Sequence, residues 1–261
     1  MYLSSPKNKH HFLNSLVTVF IFVSFLSLSF NLYAEDNNQQ PIIDLEKIEY
    51  NVSFNGIPSG YIIWKYLGQK TIDGRQVDVL LVESDTNILK FLDLVSSEKI
   101  YLDSKTHLPV KVKRNVELFG DKEIIEENYN QQQGQVVIVR KKGENVVEEE
   151  VYKQDKPIHN ILDLLYFFPK GIDLTAKKGK WMTFNLPNQK VQIKFYGKRK
   201  VKVAGAMREA YFLVGKGAKR FNLWLSLERK IPLRLDFLSW LGKVIIRREE
   251  VEKTDSKKIK K

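Results

Sequence analysis

Chemistry in a chain without cysteine must come from histidine, carboxylate, hydroxyl or aromatic groups, and few of these form a constellation here. The absence of cysteine excludes thiolate chemistry, disulfide staples, Cys-based zinc sites and lipid attachment through an N-terminal cysteine. Of the four histidines, His10 and His11 lie in the leader, His107 in a polar turn, and His159 beside Asn160 and four residues before Asp163. A Ser-His-Asp triad needs a serine on a strained turn, and none is visible. No paired-histidine metal motif, phosphate loop or dinucleotide fingerprint occurs, and Gly215-Lys-Gly217 reads as a turn. Carboxylates cluster at Glu83/Asp85, Glu126/Glu127 and Glu148–Glu150. A glycosidase pair is recognised only by its separation in space, and on alternating strands these acids read as a solvent face. The sequence therefore predicts no catalytic residue, no metal and no cofactor.

The aromatics carry more. Trp64, Tyr66, Tyr101, Tyr166, Phe167, Phe168, Trp181, Tyr196, Trp224 and Trp240 include several on the polar side of an alternating pattern, Trp224 between Asn222 and Ser226 most clearly. Either a helix covers that second face, or a curved sheet and the helix enclose an apolar cavity suited to an acyl chain. The candidate ligand-binding residues are Trp64, Tyr66, Tyr166, Phe167, Trp224 and Arg234.

The elements that must position them are strands. From Glu46 onward apolar and polar residues alternate with period two, interrupted every 8–12 residues by Gly, Pro, Asn or Asp. Val110, Val112, Val116 and Leu118 oppose Lys111, Lys113, Asn115 and Glu117. Val191, Ile193 and Phe195 oppose Gln192, Lys194 and Tyr196. Phe221, Leu223, Leu225 and Leu227 oppose Asn222, Trp224, Ser226 and Glu228. Ile231, Leu233, Leu235 and Phe237 oppose Pro232, Arg234 and Asp236. Further strands are expected near 47–54, 60–68, 76–85, 97–102, 123–129, 135–141, 146–152, 180–186, 198–204, 208–214 and 243–251. Connections this short exclude helical crossovers, so the pairing is antiparallel. Residues 87–95 read as a short helix or an irregular strand. One helix is expected over 157–168, with Pro157 in its first turn and Pro169 and Gly171 stopping it.

The two ends say where the chain works. Lys7 and Lys9 precede an uncharged apolar run, Leu16 to Phe30, then Ala34. This pattern predicts a signal peptide over 1–34, cleaved after Ala34; the alternative is an uncleaved anchor. A polar linker follows (35–44), then a single β-rich domain (45–251) and a basic disordered tail (252–261). The expected localisation is periplasmic. Charge is asymmetric: residues 35–155 hold 22 acids against 15 bases, residues 156–261 only 9 against 26. A basic half in an exported protein points to an anionic neighbour such as lipid head groups, lipopolysaccharide or an acidic polymer, and away from nucleic acid.

Residues 101–112 align without gaps on 224–235: an aromatic, a strand end, a polar turn, an aliphatic-Pro pair, then aliphatic-basic-aliphatic. Proline cannot donate to a ladder, so Pro109 and Pro232 each open the second strand of a hairpin.

The segment Tyr50 to Gly60, ending in Gly-Ile-Pro-Ser-Gly, resembles the opening of the bacterial exported family catalogued as domain of unknown function 3108. The helix with Asp163 to Phe167, Gly205 in a hairpin, and Trp224-Leu-Ser226 running to Ile231-Pro232-Leu-Arg234 are similar to it as well. The resemblance covers about 45–251 and implies fold and location, not an activity. At fold level it extends to the curved-sheet carriers of the LolA/LolB type.

The combined expectation is a mainly β protein: a large curved antiparallel sheet or open barrel of about 12–14 strands with one packed helix. Its leading function is non-enzymatic binding of an amphipathic or anionic ligand in or on the sheet, with possible contact to a membrane surface. An assembly factor binding another envelope protein is the alternative, and an envelope polysaccharide hydrolase the second.

Overall fold

The computed structural model describes residues 47–88, 92–239 and 242–249. The expected leader, linker and tail, and Trp240, lie outside the described residues. Eight strands come first: β1 (Lys47–Phe54), β2 (Ile57–Ile72), β3 (Arg75–Ile88), β4 (Leu92–Asp103), β5 (Pro109–Leu118), β6 (Asp121–Asn130), β7 (Gln135–Lys142) and β8 (Asn145–Lys153). Two short helices, α1 (Ile161–Tyr166) and α2 (Phe168–Gly171), and a 3-10 turn (Thr175–Lys177) follow. Six strands complete the chain: β9 (Trp181–Leu186), β10 (Gln189–Val203), β11 (Ala206–Lys216), β12 (Arg220–Ser226), β13 (Pro232–Leu238) and β14 (Lys243–Arg248).

All fourteen strands join one antiparallel sheet in the order β8-β7-β6-β5-β4-β3-β2-β1-β14-β13-β12-β11-β10-β9. Consecutive strands are neighbours, and β1 pairs with β14, so the first and last described strands meet at the middle of the sheet. The sheet is not closed: β8 and β9 are its edges, and residues 154–180 connect them. Alternate residues of nearly every strand line one apolar interior, and α1 supplies Leu162, Leu164, Leu165 and Tyr166 to that same core. A sheet with one buried face and no partner sheet must have that face covered, and here a helix covers it.

The expected helix is shorter than its pattern and divided. Ile158 bridges to Asn185 of β9, and the His159 N–H donates to the Asn185 carbonyl at 2.7 Å, so 157–159 run extended. Asn160 then caps α1, accepting from the Leu162 N–H at 2.9 Å, while Asp163 accepts from the Asn160 N–H at 2.8 Å. Pro169 sits in the first turn of α2 rather than ending a helix, a place where its missing N–H costs nothing. Of the stretch 87–95, residues 87–88 end β3 and residues 92–95 open β4, with Asn87 opposite Asp93.

Two expected strands, 191–196 and 198–204, are one: β10 continues through a bulge at Phe195/Gly197. A second bulge changes the face of one residue. Trp224 pairs with Arg234 but Leu225 with Pro232. This slip puts Pro232 beside Tyr50, whose hydroxyl donates to the Pro232 carbonyl at 3.1 Å. It sends Leu233 to a small separate core with Val201, Val203 and Ala210.

The repeated hairpins match in detail. Tyr101 pairs with Lys111 and Leu102 with Pro109, the same bulge as Trp224–Arg234 and Leu225–Pro232. His107 and Lys230 take the same left-handed conformation, with φ of 55° and 50°. Asp103 N–H donates to Leu108 O at 2.9 Å, and Ser226 N–H to Ile231 O at 2.9 Å. Each turn also grips the α1–α2 segment. The His107 ring stacks on Phe167 at 4.9 Å, and Lys230 Nζ donates to the Ile172 carbonyl at 2.6 Å.

Gly60 is held where no side chain fits: its φ is +138°, and a Cβ there would lie 2.0 Å from the Asp85 carbonyl oxygen across the β2–β3 ladder. Gly60→Ala is expected to cost about 2–4 kcal/mol in urea unfolding. Gly56→Ala, where φ is +86° and nothing lies within 4 Å, is expected to cost only about 1 kcal/mol.

Candidate functional site

The structure divides the sequence candidates between two faces. Trp64 and Tyr166 are buried inside, in a chain of rings: Tyr50–Trp64 at 5.4 Å, Trp64–Tyr166 at 5.9 Å and Tyr166–Phe167 at 4.8 Å. Phe167 continues to His107, and Lys170 Nζ lies 3.4 Å from the centre of the Tyr166 ring. Tyr66 is half-buried and donates to Asp78 at 2.6 Å, with Gln69 on the same oxygen at 3.2 Å. Burial and the Asp78 acceptor push the Tyr66 hydroxyl well above its usual range. The helix largely fills this interior. The void lined by Tyr50, Ile62, Trp64, Leu165, Leu223, Pro232, Leu235 and Ile246 is about 20 Å³, room for about one water molecule.

Beside it the interior is charged, which the alternation conceals. Val112 and Val116 face the core as expected, but Arg114 lies between them on the same face and is buried. Its Nε meets Glu98 Oε2 at 2.7 Å and its terminal nitrogen meets Glu98 Oε1 at 3.0 Å, a bidentate pair across the β4–β5 register. The same nitrogen reaches Glu127 of β6 at 3.4 Å. Tyr129 donates to Glu127 at 2.5 Å, Asn160 donates to Tyr129 at 3.4 Å, and His159 Nδ1 lies 2.9 Å from Asp163. A cleft of about 60 Å³ adjoins this network, lined also by Ile161, Leu186, Pro187, Asn188 and Gln189 at the seam between the sheet edges.

Burial sets the electrostatics. Desolvation raises Glu127 above the usual carboxylate range, against the pull of Arg114 and with the help of Glu98. Tyr129 rises through burial and the adjacent Glu127, and Asp163 through burial, opposed by His159. Desolvation alone would lower Arg114; the two glutamates reverse that and hold it charged. Both carboxylates are engaged by one guanidinium, so Arg114 occupies the space where a glycosidase would need substrate or water.

The repeat makes this cluster informative. In the second hairpin the positions of Glu98 and Arg114 are taken by Phe221 and Phe237, which pair in the same register. The fold accepts an apolar pair there, and a buried ion pair is seldom the more stable choice.

Trp224 and Arg234 belong to the outer face. There cations and rings interleave across β9 to β13. Lys216 and Lys194 lie 4.4 and 5.7 Å from the Trp181 ring, and Lys194 lies 5.0 Å from Tyr196. Arg199 covers Phe212 at 4.1 Å, Phe212 meets Trp224 at 5.0 Å, and Arg234 lies 5.2 Å from Trp224. Arg234 is also anchored to Asp236 by two 2.6 Å hydrogen bonds. Trp181 and Tyr196 are each 40 % exposed. Among the described residues there is no group of three or more His, Asp or Glu placed to hold a metal ion.

Sequence reasoning missed Arg114, Glu98, Glu127 and Tyr129. The available signal was a charge at an apolar-parity position on three successive strands: Glu98 between Ser96 and Ile100, Arg114 between Val112 and Val116, Glu127 between Ile125 and Tyr129.

A family model described as "Protein of unknown function (DUF3108)" matches residues 49–247. No curated protein matches the chain. A solved structure, a beta-barrel-like protein of domain of unknown function DUF1849 from Brucella abortus, is similar with a TM-score of 0.53 at 8 % identity. The match covers 79 % of this chain and 96 % of that one. At that identity the likeness concerns the fold alone.

Arg114→Met is expected to destabilise the protein by about 3–5 kcal/mol at pH 7.5, because it leaves Glu98 and Glu127 buried without a cation. Glu127 already has a raised folded pKa. Between its unfolded and folded values the native state binds more protons, so its contribution to stability falls as pH rises. The cost of Arg114→Met should therefore shrink toward pH 5, measured by urea unfolding across that range.

Proposed function

The chain belongs to the family of proteins of unknown function that residues 49–247 match, and from that premise we propose that it is an exported envelope protein that docks on anionic lipid through the outer face of β9–β13. The ligand class is the phosphate-bearing head group of an amphiphile. The observation that carries this reading is the interleaved surface of Trp181, Lys194, Tyr196, Lys216, Arg199, Trp224 and Arg234, with buried Phe212 beneath Arg199. Exposed Trp and Tyr suit the boundary between acyl chains and water, and cations flanking them suit phosphate. The rings and cations hold one another in place, so little side-chain entropy is lost on docking. The excess of bases after residue 156 supports the same partner. The charged leader and apolar run ending at Ala34 support export. The apolar void of about 20 Å³ and the seam cleft of about 60 Å³ are both small for an acyl chain, which supports the outer face as the place of binding.

The test is co-sedimentation with vesicles. The protein should bind vesicles rich in phosphatidylglycerol, weakly or not at all those of phosphatidylcholine, and binding should fall with added salt. Reversing Lys194, Arg199 and Lys216 to Glu should weaken partitioning by at least about a hundredfold, from about 1 kcal/mol per charge near the surface. Equal binding to both vesicle types, or an undiminished triple variant, would overturn the proposal. Mass spectrometry of the exported protein should read an N-terminus at Glu35; a chain that keeps its first 34 residues would overturn cleavage.

A further inference from the structure

The two edges of the sheet are treated differently. At β9 the edge is met by residues 155–159, through the Ile158 bridge and the hydrogen bonds of Asn185 to His159 and Asp155. Among the described residues strand β8 pairs with β7 alone, and almost all of it is exposed, including Val147 at 52 % and Val151 at 53 %. A bulge at Arg140/Lys141 disturbs its start. From Glu148 to Lys153 the strand is regular, and its outer edge presents about three residues' worth of unpaired main-chain donors and acceptors.

Its side chains name an occupant. Glu149, Val151 and Lys153 lie on the outer face, and Glu150 and Tyr152 on the concave one, by register with Val139, Val137, Gln135, Ile138 and Val136. Two β8 strands brought together antiparallel about a twofold axis through Val151 place Glu149 opposite Lys153 twice. The same register sets Val151 on Val151 and Glu150 opposite Tyr152. Within one chain Tyr152 already donates to Glu150 at 2.8 Å, so that carboxylate–phenol contact has a precedent. Twofold registers centred on Glu148, Glu149 or Glu150 put like charges face to face. The triple glutamate thus rejects the registers on one side of Val151, and on the other side the register centred on Tyr152 sets Val151 opposite Lys153 and loses both ion pairs.

We propose that β8 is a self-association edge, and that a second copy of this chain adds its β8 in the register centred on Val151, with reciprocal Glu149–Lys153 pairs. The contact spans five residues on each side, far below the area of an obligate dimer, so the association is weak and concentration-dependent. It does not depend on the lipid-docking reading, because β8 is at the other end of the sheet order from β9–β13.

Sedimentation equilibrium of the mature protein, without lipid, tests it. A reversible monomer–dimer equilibrium is expected. Glu149→Lys and Lys153→Glu, each placing like charges opposite each other, should raise the dimer dissociation constant about tenfold or more; the double variant Glu149→Lys/Lys153→Glu should restore it to within about threefold. Both positions are on an exposed strand, and circular dichroism should show all three variants folded. A protein monomeric at every concentration, or a dimer indifferent to the single reversals, or one not rescued by the exchange, would overturn the proposal.

Discussion

A sheet of fourteen strands with one apolar face cannot stand in water with that face bare, and the rest of this structure follows from how the face is covered. Closure into a barrel would cover it, but β8 and β9 do not pair. The chain between them turns inward instead, and α1 places Leu162, Leu164, Leu165 and Tyr166 against residues from both halves of the sheet. Six residues make too short a helix to be stable alone. Its order comes from the Asn160–Asp163 capping box, from burial, and from the two repeated turns that hold the segment after it through His107 and Lys230.

Those turns are the clearest sign that the sheet is built twice from one idea. The left-handed residue, the bulge, the proline opening the second strand and the turn hydrogen bonds coincide. Even the proline carbonyls are used alike: Gln131 donates to Pro109 at 3.1 Å, and Tyr50 to Pro232 at 3.1 Å. Against this likeness the interior differs in kind. One hairpin carries Glu98–Arg114, the other Phe221–Phe237. Removing several charges from water costs several kcal/mol per ion before pairing recovers it, and the sister hairpin does without. The seam cleft is therefore the place in the interior where the chain departs from what folding alone favours.

The outer surface obeys a different rule. Cations lie over the rings there, although Trp224 also packs against Val201, Val203, Ala210 and Leu233, and the contacts run across four registers from Trp181 to Arg234. Cation and ring satisfy each other without excluding water, so the face stays both ordered and exposed.

Read alone, the amino-acid order determined where the strands lie, which way most side chains point, and that two proline-opened hairpins repeat. Each of these rests on period two or on a local turn, and both are written in neighbouring residues. Even so, alternation misplaced Leu233, because a bulge is a mismatch between two strands and belongs to neither alone. The helix over 157–168 was overextended because β9, distant in sequence, takes the main chain of Ile158 and His159. Arg114 was invisible as a site because its partners come from β4 and β6. Only the lateral order and register of the strands bring Glu98, Arg114 and Glu127 to one point, and that order is a property of the assembled sheet.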